Sequence, residues 1–248
     1  MQLSKIGWCD YSGGDLNFAR GCTPVSEGCQ HCYAKELAHR FARPFEATWD
    51  HAKLERLTSK QWPSYSPKRG APYSPMVFVV DTGDLFHENY GDMVILGALR
   101  RMILRRAVTW IVLTKRAERM HEVVSKLAAQ RPDGLLPPHI WLGVTAENYV
   151  RMHQRLPILR DTPASTRFVS MEPMLGPMGP LNLDGLNWVI VGAESGPKRR
   201  PFDVAWAADV KRQCDETGVP FFGKQASGLR PGAPLLFDGQ ECKAWPAR

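Results

Sequence analysis

Three cysteines lie close together near the N-terminus, in the run GCTPVSEGCQHCYA. Cys22, Cys29 and Cys32 follow the spacing Cys-x6-Cys-x2-Cys. Thiolates this close can bind one soft metal centre. An iron–sulfur cluster held by three protein thiolates keeps one iron open for a further ligand. The spacing alone leaves three interpretations open: a three-thiolate cluster, a zinc site, or cysteines with a redox or structural role.

The other three cysteines are separated from this group. Cys9 precedes it and is a candidate neighbour or fourth ligand. Cys214 lies in a helical pattern that predicts a small buried side chain, and Cys242 lies near the C-terminus. No second Cys-x2-Cys pair follows that would complete a zinc ribbon. His31 lies between two of the clustered cysteines, which is an awkward position for a fourth zinc ligand.

Length and composition favour a packed globular protein. The chain has 248 residues, of which 44% are hydrophobic, and a formal net charge of +7. No apolar run approaches the ~20 residues needed to span a bilayer, and the N-terminus lacks the apolar core of a secretory signal. We therefore expect a cytoplasmic protein that does not contact membranes. The basic charge favours phosphate-rich partners.

An alternation of strands and helices follows the cysteines. We predict strands at residues 76–80, 109–114, 139–145, 166–171, 187–193 and 220–225, and a further short strand near residues 6–9. Helices are predicted in between, except after residues 166–171, where a Pro/Gly-rich segment follows. This pattern predicts an α/β fold, a full or partial (β/α) TIM-like barrel of about six to seven mostly parallel strands. An open doubly wound sheet is the alternative, but no G-x-G-x-x-G follows the first strand.

The same pattern predicts one domain over residues 1–248. Within it, residues 61–75 contain four prolines and are expected to form an irregular surface loop. Residues 226–248 are expected to form an irregular tail.

Polar side chains follow each predicted strand at the point where it ends. In a (β/α) barrel the active site is built from the carboxyl ends of the strands, so we expect these residues to line a rim that holds a polar ligand. A single Thr or Ser there is often a helix N-cap, but six consecutive polar strand ends are harder to explain in that way. The residues at these ends are Asp81, Thr82, Gly83, Asp84, Thr114, Lys115, Arg116, Thr145, Glu147, Asn148, Ser170, Glu172, Glu194, Ser195, Lys224 and Gln225.

Several motifs together resemble a known family. They are the cysteine run GCTPVSEGCQHCYA, VFVVDTGDLFHE, the strand end VLTKR, IWLGVTAEN, FVSMEPMLGP and VIVGAESGPKRRPF. In this order they are similar to the radical S-adenosylmethionine (SAM)-like proteins of phages and prophages that carry a three-cysteine motif. That family is similar in turn to spore photoproduct lyase, a radical enzyme that acts on DNA.

The resemblance implies that Cys22, Cys29 and Cys32 bind a [4Fe–4S] cluster whose fourth iron chelates the amino and carboxylate groups of SAM. An electron delivered through the cluster would split the sulfonium and release a 5′-deoxyadenosyl radical, which abstracts a hydrogen from the substrate. The cofactor supplies the difficult chemistry, while the protein orients it and excludes water. The spacing here differs from the commonest radical pattern, Cys-x3-Cys-x2-Cys, by three extra residues.

The resemblance also implies roles for residues on the rim. Thr82, Gly83 and Asp84 correspond to the segment that holds the methionine amino group, and Lys115 to a cation beside the methionine carboxylate. In full, the cofactor-binding candidates are Tyr33 on adenine, Thr82, Gly83, Asp84, Thr114, Lys115, and Thr145, Glu147, Asn148, Ser170 and Glu172 near the ribose. The catalytic candidates are Asp84, Glu194 as an acid or base, and Arg116 toward a substrate phosphate.

The resulting hypothesis is a radical SAM enzyme that modifies or rearranges a nucleobase or base adduct, with phage DNA favoured as the substrate. Its subclass, an isomerase, a lyase or a base-modifying transferase, is left open. The basic run at residues 198–202 suits a phosphate backbone, and a reductant such as flavodoxin or ferredoxin is expected as a partner. Two alternatives remain: a radical SAM enzyme that acts on a small metabolite or peptide, and a zinc- or cluster-stabilised nucleic-acid-binding module without catalysis.

Overall fold

The computed structural model describes residues 3–247 of the chain. The strands are β1 Ala19–Arg20, β2 Thr48–Trp49, β3 Met76–Phe78, β4 Thr109–Thr114, β5 Leu136–Thr145, β6 Ala164–Met171, β7 Trp188–Gly192, β8 Phe221–Gln225, β9 Leu236–Phe237 and β10 Gln240–Glu241. The α-helices are α1 Tyr33–Arg40, α2 His51–Ser59, α3 Asp92–Leu104, α4 Ala117–Ala128, α5 Tyr149–Asp161 and α6 Val204–Thr217. Two short 3-10 helices cover Gly14–Leu16 and Glu27–Cys29.

Six strands form one parallel sheet in the order β3–β4–β5–β6–β7–β8. The order in the sheet equals the order along the chain, so the sheet has no point at which the winding reverses, as a doubly wound sheet would require. The sheet curls into a half-barrel. The predicted partial (β/α) barrel of about six parallel strands is therefore confirmed.

Helices α3, α4, α5 and α6 each connect two neighbouring strands of the sheet. Residues at the ends of α5 and α6 show how the sequence sets the bounds of these helices. Asn148 Oδ1 accepts a hydrogen bond from Arg151 N and caps the start of α5. Gly218 adopts the left-handed conformation, with φ 71°, and ends α6. Between β6 and β7 the chain continues without a helix, as the Pro/Gly-rich sequence predicts.

Apolar side chains cover both faces of the sheet, which explains the nearly continuous apolar runs of its strands. The concave face carries the inner aromatic cluster, which is Trp8, Phe78, Trp141, Phe168, Trp188 and Phe222. The convex face packs against the helices through a larger aliphatic cluster. The inner aromatic cluster fills the concave face, whereas polar side chains lie at the carboxyl ends of the strands.

The prediction of a strand near residues 6–9 is wrong. This segment forms turns, and its connection to the sheet is an isolated parallel bridge between Tyr11 and β3. The Nζ of Lys68 donates to the carbonyls of Ile6 at 2.6 Å and Cys9 at 2.5 Å. In a strand, carbonyls three residues apart point in opposite directions, so their convergence on one ammonium requires the turns that this segment forms.

The C-terminal segment is more ordered than predicted. Residues 61–75 contain no helix or named strand, as expected, but β9 and β10 form an antiparallel hairpin within residues 226–247. Asp238 and Gly239 have φ angles of 50° and 81°, so an Asp-Gly turn of the kind that favours hairpins joins the two strands.

None of the helices within residues 3–247 combines the length and the apolar character needed to cross a membrane. The assignment of residues 1–248 to one domain stays a prediction, and residues 1, 2 and 248 lie outside the described part of the chain.

Candidate metal centre

The three clustered cysteines lie in a loop that crosses the carboxyl ends of the sheet, named here the cysteine loop (residues 21–33). Gly21 begins this loop and pairs with Gly83, just after β3; Gly21 N donates to Thr82 O at 3.0 Å. Gly21 has a φ of 76°, and a β-carbon on it would overlap the carbonyl of Glu46, so glycine is required there. The three cysteines are free and of intermediate exposure.

Arg116, just after β4, fastens the first cysteine. Its Nη1 donates to Cys22 Sγ at 3.2 Å and to Asp84 Oδ2 at 3.1 Å. Its Nη2 donates to Thr23 Oγ1 at 2.8 Å, and its Nε donates to Glu88 Oε2 at 2.6 Å. These five residues are named the Cys22 anchor. Arg116, for which the sequence predicts a contact with a substrate phosphate, is buried and turned toward the cysteine loop instead.

Asp84 is a predicted catalytic and cofactor-binding residue, but its carboxylate is hydrogen-bonded to neighbouring protein groups. Besides Arg116, its carboxylate accepts from Thr114 Oγ1 at 2.6 Å, Phe86 N at 3.0 Å and Lys115 N at 3.2 Å. It is buried. These bonds tie the loop after β3 to the end of β4. They also use the hydroxyl of Thr114, another cofactor-binding candidate.

Burial and charge set the electrostatics of the Cys22 anchor. Burial raises the pKa of the Cys22 thiol to about 11, and the cation of Arg116 opposes this rise. The hydrogen bond from Arg116 lowers the pKa of Glu88 to about 2. Burial lowers the pKa of His87, whose Nε2 lies 3.1 Å from Thr23 Oγ1. The anchor therefore places beside the thiol a cation that favours its ionised form.

Glu147 lies beneath the middle of the cysteine loop and is fully buried. Its Oε1 accepts from Ser26 Oγ and from Lys115 Nζ, each at 2.5 Å, and its Oε2 accepts from Arg155 Nη1 at 2.9 Å. Burial alone would raise the pKa of Glu147, but the charges of Lys115 and Arg155 lower it. A β-carbon on Gly28 would overlap this carboxylate, so the loop and the carboxylate are in close contact.

Two further candidates for the ribose have contacts within the scaffold. The carbonyl of Thr145 accepts from Arg155 Nη1 at 2.6 Å. The side chain of Asn148 is the N-cap of α5, at 3.0 Å from Arg151 N. The polar end of β5 thus supports the cysteine loop and the start of the next helix.

His31 fastens the far side of the cysteine loop to the end of β7. Its Nδ1 lies 3.2 Å from Glu194 Oε2, which also accepts from Arg200 N at 2.8 Å. Arg200 Nη1 donates to Glu27 O at 2.8 Å, so one arginine contacts both the loop and the strand end. Burial raises the pKa of Glu194, but the hydrogen bonds from Arg200 outweigh it and lower the pKa. His31, Glu194 and Arg200 are named the His31 latch.

A second polar group lies at the ends of β6 and β8. Glu172 Oε2 accepts from Ser170 Oγ at 3.0 Å and from Trp8 Nε1 at 3.2 Å, while Lys224 Nζ lies 2.8 Å from its Oε1. Glu172 remains partly exposed. A β-carbon on Gly192 would lie 2.7 Å from Glu172 Oε1, so the carboxylate rests on the backbone of β7. Of the ribose candidates, Ser170 and Glu172 therefore lie together.

The end of β3 holds the remaining candidates. Tyr33 has an exposed ring, and its hydroxyl donates to the carbonyl of Asp81. Burial raises the pKa of Asp81, whose Oδ1 accepts from Asn17 Nδ2 at 2.5 Å. Thr82 Oγ1 is buried and has no hydrogen-bond partner within residues 3–247. An unpartnered buried hydroxyl costs free energy unless a ligand satisfies it.

These observations test whether an iron–sulfur cluster suits the loop. The donor set is three thiols from one segment, held over the strand ends, with the orphan hydroxyl of Thr82 on the same rim. Within residues 3–247, no three His, Cys, Asp or Glu side chains are placed to hold a single metal ion. In a [4Fe–4S] cluster each thiolate binds a different iron, so its ligands need not surround one ion. The residues present fit a cluster with three protein ligands.

Cys9 is a different kind of cysteine. It is fully buried against the inner aromatic cluster, beside Trp8, and burial raises the pKa of its thiol to about 12. It contributes to packing in the concave face of the sheet.

Several contacts of the site were missed from the sequence. Thr23, Ser26 and His31 lie in the cysteine loop, but the spacing of the cysteines says nothing about the partners of the residues between them. Arg155 could have been found, since it lies on the side of α5 that buries Met152 and other apolar residues. A buried arginine in an apolar stripe indicates an ion pair.

The sequence model of a family described as "Protein of unknown function (DUF5131)" matches residues 3–234. The chain belongs to this family. None of the curated proteins compared with the sequence matches it.

Among solved structures, spore photoproduct lyase in complex with a dinucleoside spore photoproduct is 12% identical, with a TM-score of 0.48 over 92% of this chain and 78% of that chain. A cysteine-to-alanine variant of the same lyase is 11% identical, with a TM-score of 0.49 over 92% of this chain and 80% of that one.

Proposed function

We propose that this member of the DUF5131 family is a radical SAM enzyme that acts on a nucleobase or base adduct, with DNA favoured. The observation that carries the proposal is the attachment of the cysteine loop to the strand ends. Cys22 contacts Arg116, Ser26 contacts Glu147, and the imidazole of His31 contacts Glu194. A loop fastened at three strand ends presents its thiols to the mouth of the half-barrel, where a ligand held by the rim can meet them.

Cys22, Cys29 and Cys32 would hold the [4Fe–4S] cluster. When bound, such a cluster supplies an open iron for SAM and an electron that cleaves the sulfonium reductively, giving a hydrogen-abstracting radical. Arg116 keeps the first thiol in place and favours its ionised form. Asp84 and Glu147 hold Arg116 and Lys115 in position, so we assign these two carboxylates positioning roles.

The partly exposed rim groups are the candidates for the cofactor itself. Thr82 Oγ1 lacks a partner among the described residues, and Glu172 retains exposed surface beside Ser170. A carboxylate accepts hydroxyl donors well, so Glu172 suits a ribose. Tyr33 offers an exposed ring at the same mouth. The inner aromatic cluster closes the bottom of the site and excludes water from it.

Charge supports a nucleic-acid substrate. The chain carries a formal net charge of +7. A cleft of about 460 Å³ beside the cysteine loop is lined by five basic and two acidic side chains, among them Lys115, Arg119 and Arg151. Basic clefts attract phosphate backbones. A reductant such as flavodoxin or ferredoxin would supply the electron, and an origin of the substrate in phage DNA stays a prediction.

The test is anaerobic reconstitution followed by chemical reduction with SAM. We expect about four irons and four sulfides per chain, broad visible absorption, and 5′-deoxyadenosine as a product. Replacing Cys22, Cys29 and Cys32 together with Ala should abolish all three signals. Cys242→Ala, a matched change outside the loop, should keep them.

Circular dichroism and thermal melting of each variant would separate loss of the cluster from loss of the fold. A full cluster that yields no 5′-deoxyadenosine would overturn the radical chemistry. One zinc per chain with no iron or sulfide, in protein purified without oxygen, would indicate the zinc-stabilised binding module instead.

A further inference from the structure

Helix α1 leaves the cysteine loop with an apolar face turned to solvent. Tyr33, Leu37 and Phe41 follow one another at intervals of four residues, which places them on one side of a helix. They are 57%, 38% and 58% exposed. Of the eight residues of α1, only Ala34 is buried. These three residues are named the α1 face.

The α1 face lies beside the candidate metal centre. At its start, the hydroxyl of Tyr33 donates to the carbonyl of Asp81 at the end of β3. The segment that follows α1 contacts the cysteine loop, because Cys22 N donates a hydrogen bond to Phe45 O at 3.2 Å. The exposed rings are therefore held next to the cysteine loop by contacts at both ends of the helix.

Helix α1 and the residues that follow it carry several positive side chains. Residues 33–43 contain three side chains of Lys or Arg and one acidic residue, Glu36. Among residues 3–247, no hydrogen bond or ion pair engages the side chains of Lys35 and Arg40. The guanidinium of Arg43 lies 5.5 Å from the centre of the Phe41 ring, as in cation–π contacts.

An exposed ring with cations beside it matches the chemistry of a single nucleic-acid strand. Every base has a π-face that stacks on an aromatic side chain, and phosphates pair with Lys and Arg. An apolar face of three residues interrupted by cations is too small and too charged for a stable protein interface. Enzymes that act on a base must also take it out of the stack, and a stacking surface beside the mouth would hold it there.

We propose that the α1 face binds an unpaired segment of a nucleic-acid strand, with a base on Phe41 and phosphates on Arg40 and Arg43. The inference rests on the proposed function, since it assumes that the substrate of the cysteine-loop site is nucleic acid. It adds the surface that receives the strand and the preference for unpaired over paired bases.

The experiment is fluorescence anisotropy of the reconstituted protein with a labelled 12-mer of thymidines and with a fully paired duplex. Phe41→Ala should weaken binding to the single strand about 10-fold, because a base loses its stacking partner. Arg40→Gln should lower the slope of log affinity against log salt by about 0.7, the value for one phosphate contact on a single strand. Leu104→Ser is the matched control: Leu104 is 81% exposed at the far end of α3.

The expected result is a loss with Phe41→Ala, a reduced salt slope with Arg40→Gln, and no change with Leu104→Ser. Equal binding of the single strand by Phe41→Ala and the unchanged protein would overturn the inference, as would equal losses with Phe41→Ala and Leu104→Ser. Iron and sulfide are measured on each sample. A protein that forms no cluster yet shows the Phe41 effect contradicts the proposed function and supports the surface. A full cluster without the Phe41 effect contradicts the surface and leaves the proposed function standing.

Discussion

The two ends of the cysteine loop are held in different ways. At the Cys22 anchor, Arg116 is buried and makes hydrogen bonds to four residues, one of them the thiol itself. At the His31 latch, the imidazole is partly exposed and meets a single carboxylate, that of Glu194. No described residue donates a charged hydrogen bond to the sulfur of Cys29 or Cys32.

This difference suggests an order of assembly. The buried ion pair of Arg116 and Asp84 is costly to rearrange, because removing either partner leaves an uncompensated charge. Under the proposed function, the first thiol is therefore in place before cluster assembly, whereas the positions of the last two cysteines would adjust on binding. Substitutions along the loop should therefore reveal one rigid and one adjustable end.

The largest effect is expected from Arg116→Ala. It leaves Asp84 buried without its cation, and we expect the free energy of unfolding to fall by about 3 kcal/mol. The amount of iron bound on reconstitution should fall as well. Urea unfolding and iron analysis measure the two effects. Arg116→Lys keeps the positive charge but lacks the several N–H donors of the guanidinium, so it should recover part of the stability. If Arg116→Ala leaves both the stability and the bound iron unchanged, the anchor is not rigid.

Gly28→Ala should cost about 2 kcal/mol, since its β-carbon would overlap the carboxylate of Glu147 and both must shift. The matched control is Gly176→Ala, where nothing lies within 4 Å of the added carbon. Thermal melting compares the two. Equal stability of both variants would mean that the middle of the loop is free to move.

His31→Ala is expected to cost roughly 0.5–1 kcal/mol, because the pair with Glu194 is partly exposed. His31→Gln should recover most of this loss if the contact is a simple hydrogen bond. Urea unfolding under the conditions used for Arg116 provides the comparison. A loss as large as that of Arg116→Ala would remove the distinction between the two ends.

The smallest effect concerns Glu27, whose hydrogen bonds from Arg151 lower its pKa from 4.5 to about 2. A lowered carboxyl pKa stabilises the folded state above the unfolded pKa, and this stabilisation is lost as the pH falls from about 4.5 toward 2. Glu27→Gln should therefore be slightly less stable at pH 6, with a difference that shrinks below pH 4.5. Unfolding curves across this range test it; a constant difference would contradict the assignment to Glu27.

Much of the fold was predictable because its signals are local. The strand at Thr109–Thr114 has the predicted bounds, because a short apolar run between two helical patterns is typical of a buried strand. The segment near residues 6–9 looked equally apolar. Its carbonyls are claimed by Lys68, which lies about 60 residues away in the chain, and no local pattern announces such a partner.

The site was predictable as a place and less so as a set of roles. The polar strand ends do meet the cysteine loop, as the geometry of parallel strands requires. The sequence does not tell which of these side chains face a ligand and which support their neighbours. Asp84 and Glu147 prove to be saturated by buried cations, whereas Glu172 keeps open surface. Whether a strand-end carboxylate is buried or remains open depends on ion pairs with other elements, such as the pair of Glu147 with Arg155.

Trp8 connects the rim to the aromatic interior in a way that gives the molecule an optical readout. Its indole N–H donates a hydrogen bond to Glu172. Its ring packs edge-on against the ring of Trp188, with 6.2 Å between the ring centroids. A small molecule that takes over the Glu172 carboxylate would release this N–H and alter the emission of the indole. The intrinsic tryptophan fluorescence of the protein should therefore change when a small molecule binds, and Trp8→Phe should remove that part of the change.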